Sequence, residues 1–170
     1  DVLGHPRARL AMHDAKEALV AALRRGLAVK AEIFDTMLAA YCCDAATGQT
    51  TLEDLAKVHL DQDLQRDRDL LGSGRKARPA GDLDEDEADS FLATHAGCLV
   101  ALQEALAGRM ADLGVDRLFT EVEIPLLYVL ADMEASGVLV DADLLGRISR
   151  EIDIQLAGME ERVYALAGKP

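Results

Sequence analysis

Apolar side chains recur every three or four residues across residues 118–141, LFTEVEIPLLYVLADMEASGVLVD. This is the spacing of an amphipathic helix, and its apolar positions form one line: Leu118, Val122, Pro125 or Leu126, Val129 or Leu130, and Met133. Because proline has no backbone N–H, we predict that the helix kinks at Pro125 or begins one turn before it. Gly137 is suited to end this helix, and Asp141 is suited to cap the next one.

The same patterning predicts the other elements. We expect a short strand at residues 9–12, a helix opened by Asp14 and ended by Gly26, and partly extended chain over 27–34. Further helices are predicted after Asp35 or Thr36, after a Thr50-x-x-Glu53 capping box, from residue 82 to Gly114, and from Ala142 to about Ala167. Residues 61–82 are rich in charge, Gly and Pro, which predicts a long mobile connection.

Two long helices carry clear apolar lines. The helix before Gly114 aligns Phe91, His95, Cys98, Leu102 and Leu106, and the last helix aligns Leu144, Ile148, Ile152, Leu156, Met159, Val163 and Leu166. The fold class predicted is therefore mostly α with a few short strands. We place a boundary between two parts near Gly114.

Composition fits a helix-rich protein that forms a core, since half of the 170 residues are apolar and Trp is absent. The chain starts at Asp1 rather than Met and stops at Pro170, so we expect it to be a fragment of a longer protein. No apolar run has the length of a membrane span, and no signal-peptide layout is present. Cys42, Cys43 and Cys98 give no disulfide framework, which favours a reducing cytoplasm.

The net charge of −13 argues against a broad grip on duplex DNA by this part of the molecule. A nucleic-acid enzyme can still carry an acidic part when its basic cleft lies elsewhere. Taken alone, the charge favours an acidic scaffold or interaction module.

The order of residues in the 118–141 stretch is more specific than its period. Glu-Val-Glu-Ile-Pro-Leu, then Val-Leu-Ala-Asp-Met-Glu, then Ser-Gly-Val-Leu-Val-Asp resembles the entry to the polymerase domain of family A DNA polymerases, the bacterial DNA polymerase I family. Upstream, Phe34-Asp-Thr-Met-Leu-Ala-Ala-Tyr41 and Thr51-Leu-Glu-Asp-Leu-Ala56 resemble segments of the 3′–5′ exonuclease domain of the same family.

The resemblance covers nearly all of residues 10–168. It implies that residues 1–114 are the C-terminal part of a ribonuclease H-like (RNase H-like) α/β exonuclease domain. Residues 115–170 would be the N-terminal helices of the polymerase domain, at the base of its thumb.

Proofreading in this family uses two metal ions held by carboxylates. One ligand comes from a motif Asn-x-Lys-Tyr-Asp; matched without a gap, Asp14 takes the Asn position, Lys16 the Lys position and Ala18 the metal-binding Asp position. Alanine cannot bind a metal. Glu17 lies one residue away, but a one-residue slip turns a helical side chain by about 100°, away from such a site.

A second motif of the family is Tyr-x-x-x-Asp, whose spacing places phenol and carboxylate on one helical face. Phe91 and His95 stand at the matching positions. Phe91 has no hydroxyl, and imidazole is a poor ligand for Mg²⁺, which prefers oxygen. The remaining carboxylate motif would lie before residue 1. The resemblance therefore implies a vestigial exonuclease domain, with Glu17 as the one candidate for rescue.

Arg75, Lys76 and Arg78 form a basic cluster among glycines and could contact a DNA phosphate backbone. We favour a solvated loop that at most pairs with nearby acids, which leaves a weak DNA contact as the alternative. The acidic run 82–89 lacks the order of a calcium loop, and His5, His13 and His59 lack zinc spacing.

The resemblance implies a part of a DNA-directed DNA polymerase that works in replication and repair. Its Mg²⁺ would be held by palm carboxylates outside this chain, and the chain itself would bind no cofactor. The implied partners are DNA primer-template and deoxynucleotides (dNTPs), without a membrane, for a monomer in the cytoplasm associated with the nucleoid. Two alternatives are a free-standing acidic helical adaptor and a live 3′–5′ exonuclease that uses Glu17.

Overall fold

The structure is a computed structural model that describes residues 2–46, 48, 50–74 and 77–168. Helices dominate it, and two short strands pair into one sheet, which confirms the predicted fold class. The elements are β1 Arg9–Met12, α1 Ala15–Arg24, β2 Glu32–Asp35, α2 Thr36–Cys43, α3 Leu52–Leu60, α4 Asp67–Leu71, a 3₁₀ turn Ala80–Asp82, α5 Glu85–Leu113, α6 Asp116–Leu118, a π turn Phe119–Glu123, α7 Ile124–Ser136 and α8 Ala142–Ala167. The chain divides into two compact units, Asp1–Ser136 and Gly137–Pro170.

The sheet and α1 form a βαβ unit. β1 and β2 run parallel, with Arg9 opposite Glu32 and Met12 opposite Asp35. Parallel strands need a crossover connection, and α1 supplies it. Gly26, at a φ of 67°, takes the left-handed conformation that ends the helix and turns the chain back toward β2.

The larger core cluster of the first unit surrounds α5. Leu102 and Leu106 have no exposed surface, and Cys98 and Met110 are 3% exposed. Residues of α2 and α3 pack on this face of α5, which confirms the predicted apolar line. Phe119 joins the cluster and contacts Phe34 of β2, with ring centroids 5.0 Å apart.

The second core cluster lies between α1 and α7. Its buried members are Ala15, Leu19, Val20, Ile33, Leu127 and Ala131. At its rim, Lys16 pairs with the Glu134 carboxylate, and the Arg24 guanidinium reaches the Glu134 carbonyl at 3.5 Å. Apolar packing and the Lys16–Glu134 ion pair therefore join α7 to the βαβ unit.

The predicted apolar line of the 118–136 stretch is not the buried one. Val122, Leu126, Val129 and Met133 are 43–61% exposed, whereas Phe119, Leu127 and Ala131 are at most 5% exposed. The helix begins at Asp116, and a π turn lies directly before Ile124-Pro125. The line is already exposed at Leu118, before that turn, where 43% of the residue is accessible, so the period of apolar residues alone selected the wrong face.

Two local predictions were also wrong. The cap of α3 is Thr51, whose hydroxyl accepts from Asp54 N at 3.2 Å, one residue later than the predicted Thr50-x-x-Glu53 box. The predicted irregular connection contains α4 and a 3₁₀ turn. Ion pairs hold it in place, because Arg66 binds Asp54 at 2.6 Å and Arg78 binds Glu87 at 2.9 Å.

The second unit contains α8, whose bounds match the prediction. Asp141 Oδ1 accepts from Leu144 N at 2.8 Å, which confirms Asp141 as the cap, and Gly137 has the expected positive φ of 73°. The predicted apolar line of α8 is present and exposed. The domain boundary near Gly114 stays a prediction.

By length and composition alone, α5 is apolar enough to cross a membrane, although the sequence has no uninterrupted apolar run of that length. The central helix of a globular core meets the same criterion. Four side chains of α5 are buried in the larger core cluster, and 17% of its apolar stretch is buried.

Candidate functional site

A cavity of about 740 Å³ lies where β1 and β2 end. Since the strands are parallel, their carboxyl ends meet at one edge, the usual place for a site in α/β structures. His13 and Asp14 follow β1 there, and α5 brings His95 to the same cavity. The other residues lining it are Ala11, Met12, Met37, Thr50, Thr51, Leu52, Glu53, Asp67 and Leu99.

His13 is held by a chain of hydrogen bonds across this edge. The Thr36 hydroxyl donates to the Met12 carbonyl at 3.1 Å, so its only proton is used. Thr36 Oγ1 therefore accepts from His13 Nδ1, 2.9 Å away, and this sets the tautomer of a neutral His13 ring. No sequence pattern indicated this contact, because His13 and Thr36 are 23 positions apart.

The Asp35 carboxylate accepts hydrogen bonds from the first turns of two helices, α1 and α2. Its Oδ1 accepts from Met37 N at 2.9 Å and Leu38 N at 3.3 Å, which caps α2. Its Oδ2 accepts from Ala15 N, the first residue of α1, at 2.8 Å. Asp14 precedes α1 with a φ of 50° and makes no side-chain cap bond, so the capping of α1 comes from the next strand.

His95 lines the cavity, and its ring contacts Phe91 of the same helix. Its Nδ1 lies 2.8 Å from the Phe91 carbonyl. A carbonyl only accepts, so Nδ1 carries a proton. The two rings stack with centroids 3.9 Å apart. Nε2 is buried and has no hydrogen-bond partner among the described residues.

Glu17 and Ala18 lie elsewhere on the surface of α1. Both are exposed, while Ala15 and Leu19 of the same helix are buried. Neither Glu17 nor Ala18 is among the residues lining the cavity that holds Asp14 and His95. The structure thus brings together Asp14, His95 and, through stacking, Phe91, and leaves Glu17 outside.

The cavity is acidic. Asp14, Glu53 and Asp67 line it, and no Lys or Arg does so among the described residues. Across the described part of the chain, no three His, Cys, Asp or Glu side chains are placed to hold one metal ion. A two-metal exonuclease site needs several oxygen ligands around each ion, and the carboxylates of Asp14, Glu53 and Asp67 are not grouped in that way.

The basic cluster lies partly outside the described residues, since Arg75 and Lys76 fall in that gap. Arg78 is described, and its guanidinium is occupied. It donates twice to the Leu70 carbonyl, at 3.1 and 3.3 Å, and once to Glu87. In this arrangement Arg78 braces the connection before α5.

A family model described as DNA polymerase I, ribonuclease H-like domain, matches residues 1–102. DNA polymerase I of Geobacillus stearothermophilus is 35% identical over 167 residues, which cover 98% of this chain and 19% of that protein. DNA polymerase I of Rhizobium leguminosarum is 38% identical over 136 residues, 79% of this chain and 13% of that protein. The chain spans about a fifth of the length of the first of these relatives.

A solved structure, the POL domain of Pol1 from M. smegmatis in complex with DNA primer-template and dNTP, is similar to this chain. The TM-score is 0.69 at 27% identity, and the likeness covers 98% of this chain and 26% of that one. The likeness therefore spans both compact units.

Proposed function

Because this chain belongs to the DNA polymerase I family, with a ribonuclease H-like domain, we propose that it serves a DNA-directed DNA polymerase as a structural part. Residues 1–114 are the C-terminal part of the exonuclease-like domain, and residues 115–170 are the first helices of the polymerase domain, at the base of the thumb. The likeness to a polymerase over 98% of the chain supports the assignment of this chain to a polymerase.

We infer that the exonuclease-like domain is vestigial. The observation that carries this inference is the state of His95, which stands where the family has a metal-binding Asp. Its Nδ1–H is directed at the Phe91 carbonyl and its Nε2 is buried. Ala18 supplies no oxygen at the other motif, and exposed Glu17 does not face the cavity.

In the absence of bound divalent ions, the carboxylates of Asp14, Glu53 and Asp67 repel a DNA phosphate from this cavity, since like charges disfavour approach. The Mg²⁺ ions of nucleotide transfer are held by residues outside this chain, and the chain binds none itself.

Its partners are DNA primer-template and dNTPs, which reach it only as part of the polymerase. The parent protein works as a monomer in the cytoplasm, associated with the nucleoid, in replication and repair, and does not engage a membrane. Arg75, Lys76 and Arg78 contribute at most a weak DNA contact, because Arg78 is already bonded.

A Mn²⁺ titration tests the vestigial domain. Mn²⁺ binding is followed by electron paramagnetic resonance (EPR) for the wild-type chain and for Glu17→Gln. We expect neither protein to show a site of millimolar or tighter affinity near Glu17. Millimolar or tighter binding that disappears in Glu17→Gln would overturn the proposal and restore the live exonuclease.

The adaptor alternative is not favoured, because it leaves the family match over residues 1–102 and the polymerase likeness unexplained. Continuation of the reading frame past Pro170 into a Phe-Asn-x-x-Ser segment and palm motifs separates the two ideas. A stop codon directly after Pro170 would leave the adaptor as the better account.

A further inference from the structure

One continuous helix contributes buried side chains to both core clusters of the first unit. α6, the π turn and α7 are continuous from Asp116 to Ser136. Phe119 belongs to the cluster around α5, and Leu127 and Ala131 belong to the cluster against α1. All three are at most 5% exposed, so they lie on the buried side of the same helix.

An unbroken α-helix does not place these three side chains together. Leu127 is eight residues and Ala131 twelve residues beyond Phe119. With about 3.6 residues per turn, those spacings are about 80° and 120° out of phase, whereas 7 and 11 residues are each within about 20° of whole turns. The segment between Phe119 and Leu127 is therefore one residue too long for a regular α-helix to align these side chains.

The π turn accommodates that residue. The backbone N–H of Ile124 donates to the carbonyl of Phe119, five positions earlier, and a π turn holds one residue more than an α turn. The effective spacings become 7 and 11, which aligns Phe119 with Leu127 and Ala131. Pro125 adds a second reason for the turn, because in a regular helix its ring meets the carbonyl of Glu121.

We propose that the Phe119–Glu123 π turn is a register adapter, which lets one helix insert into two cores and thereby fixes the rotation of α7. The rotation decides which face of α7 points outward, namely the face with Leu126, Val129, Leu130 and Met133. A regular helix in its place turns α7 by about 100° relative to Phe119, and Leu127 then leaves the α1 cluster.

Two single-residue deletions, both made in a Pro125→Ala chain, test the adapter. Removing Val122 takes the extra residue out of the π turn, so a regular α-helix then aligns Phe119, Leu127 and Ala131. Removing Val129 moves each later residue by one helical position, so Ala131 and Glu134 no longer face α1. Conversion of the π turn into an α turn would realign Ala131 but would rotate Leu127 away from α1. The two valines are matched, since they are 48% and 54% exposed.

Melting temperature by circular dichroism and amide exchange at Leu19 and Val20, which are buried in the α1 cluster, report the outcome. We expect the Val122 deletion to melt close to the Pro125→Ala protein with full protection in α1. We expect the Val129 deletion to melt at least about 10 °C lower and to lose that protection. Equal melting temperatures for the two deletions, or a lower one for the Val122 deletion, would overturn the proposal.

Discussion

The Asp35 carboxylate at the end of β2 lies 2.8 Å from the backbone N–H of Ala15, at the start of α1. Both residues are fully buried. The same carboxylate caps α2 through its other oxygen. One side chain therefore fixes the carboxyl edge of the sheet, where the cavity with His13 and His95 begins.

Replacing Asp35 separates its two roles. Asp35→Ala leaves buried N–H groups without an acceptor, and we expect a loss of about 3 kcal/mol in the free energy of unfolding. Asp35→Asn keeps an acceptor for α2 but turns an amide donor toward Ala15 N–H, so a smaller loss of about 1 to 2 kcal/mol is expected. Urea denaturation measures both, and equal losses would contradict the double role.

The core around α5 gives a second prediction. Leu102 has no exposed surface, whereas Leu92 of the same helix is 62% exposed. Leu102→Ala should cost about 2 to 5 kcal/mol through lost burial and a cavity, and Leu92→Ala should stay within about 0.5 kcal/mol. Comparable losses for the two variants, by urea denaturation, would show that α5 is not the central core helix.

The stability of the folded chain should fall in mild acid because of His59. Burial, and then the charge of Arg109, lower the pKa of His59 below its ordinary 6.5. The unfolded chain thus binds a proton at this site more readily than the folded chain, and stability decreases as pH falls below about 6.5.

His59→Gln removes this proton uptake, and we expect its loss of stability between pH 7 and pH 5.5 to be smaller than that of the wild type. Arg109→Gln should reduce the loss partly. Denaturation midpoints at both pH values give the comparison, and identical pH dependence in wild type and His59→Gln would refute it.

The Cys42 thiol should react slowly. Burial, with smaller contributions from Glu123 and Cys43, raises its pKa from 9.0 to about 11. At pH 8.5 the thiolate fraction is then on the order of 100-fold lower than for an ordinary cysteine. In a Cys43→Ala chain, mass spectrometry of iodoacetamide labelling should show the rate still rising above pH 10. A plateau near pH 9.5, as in the urea-unfolded chain, would contradict this.

The sequence pattern correctly predicted the features that depend on residues close together in the chain. The bounds of α8 and the buried face of α5 follow from side chains on a regular period, and Gly114 and Gly137 mark helix ends because their φ values are positive. The resemblance to the polymerase family rested on the order of residues in short segments, and the family match confirms it.

What the pattern missed depends on contacts between distant residues. The Asp35–Ala15 bond and the His13–Thr36 bond join the two strand ends across 20 and 23 positions. The buried face of α7 was missed for a different reason. Apolar side chains lie on more than one face of this helix, so their period did not identify the buried face, and the predicted line is exposed. The roles assigned to Ala18, Phe91 and His95 remain predictions.

The most direct test of the central claim uses the full-length protein that contains this chain, an end-labelled primer-template and Mg²⁺. The account predicts primer extension when dNTPs are present and an undegraded primer when they are absent. Primer shortening from the 3′ end that persists after the palm is inactivated, and that disappears in Glu17→Gln, would contradict a vestigial exonuclease domain. Absence of both extension and shortening would contradict the proposed role in a polymerase.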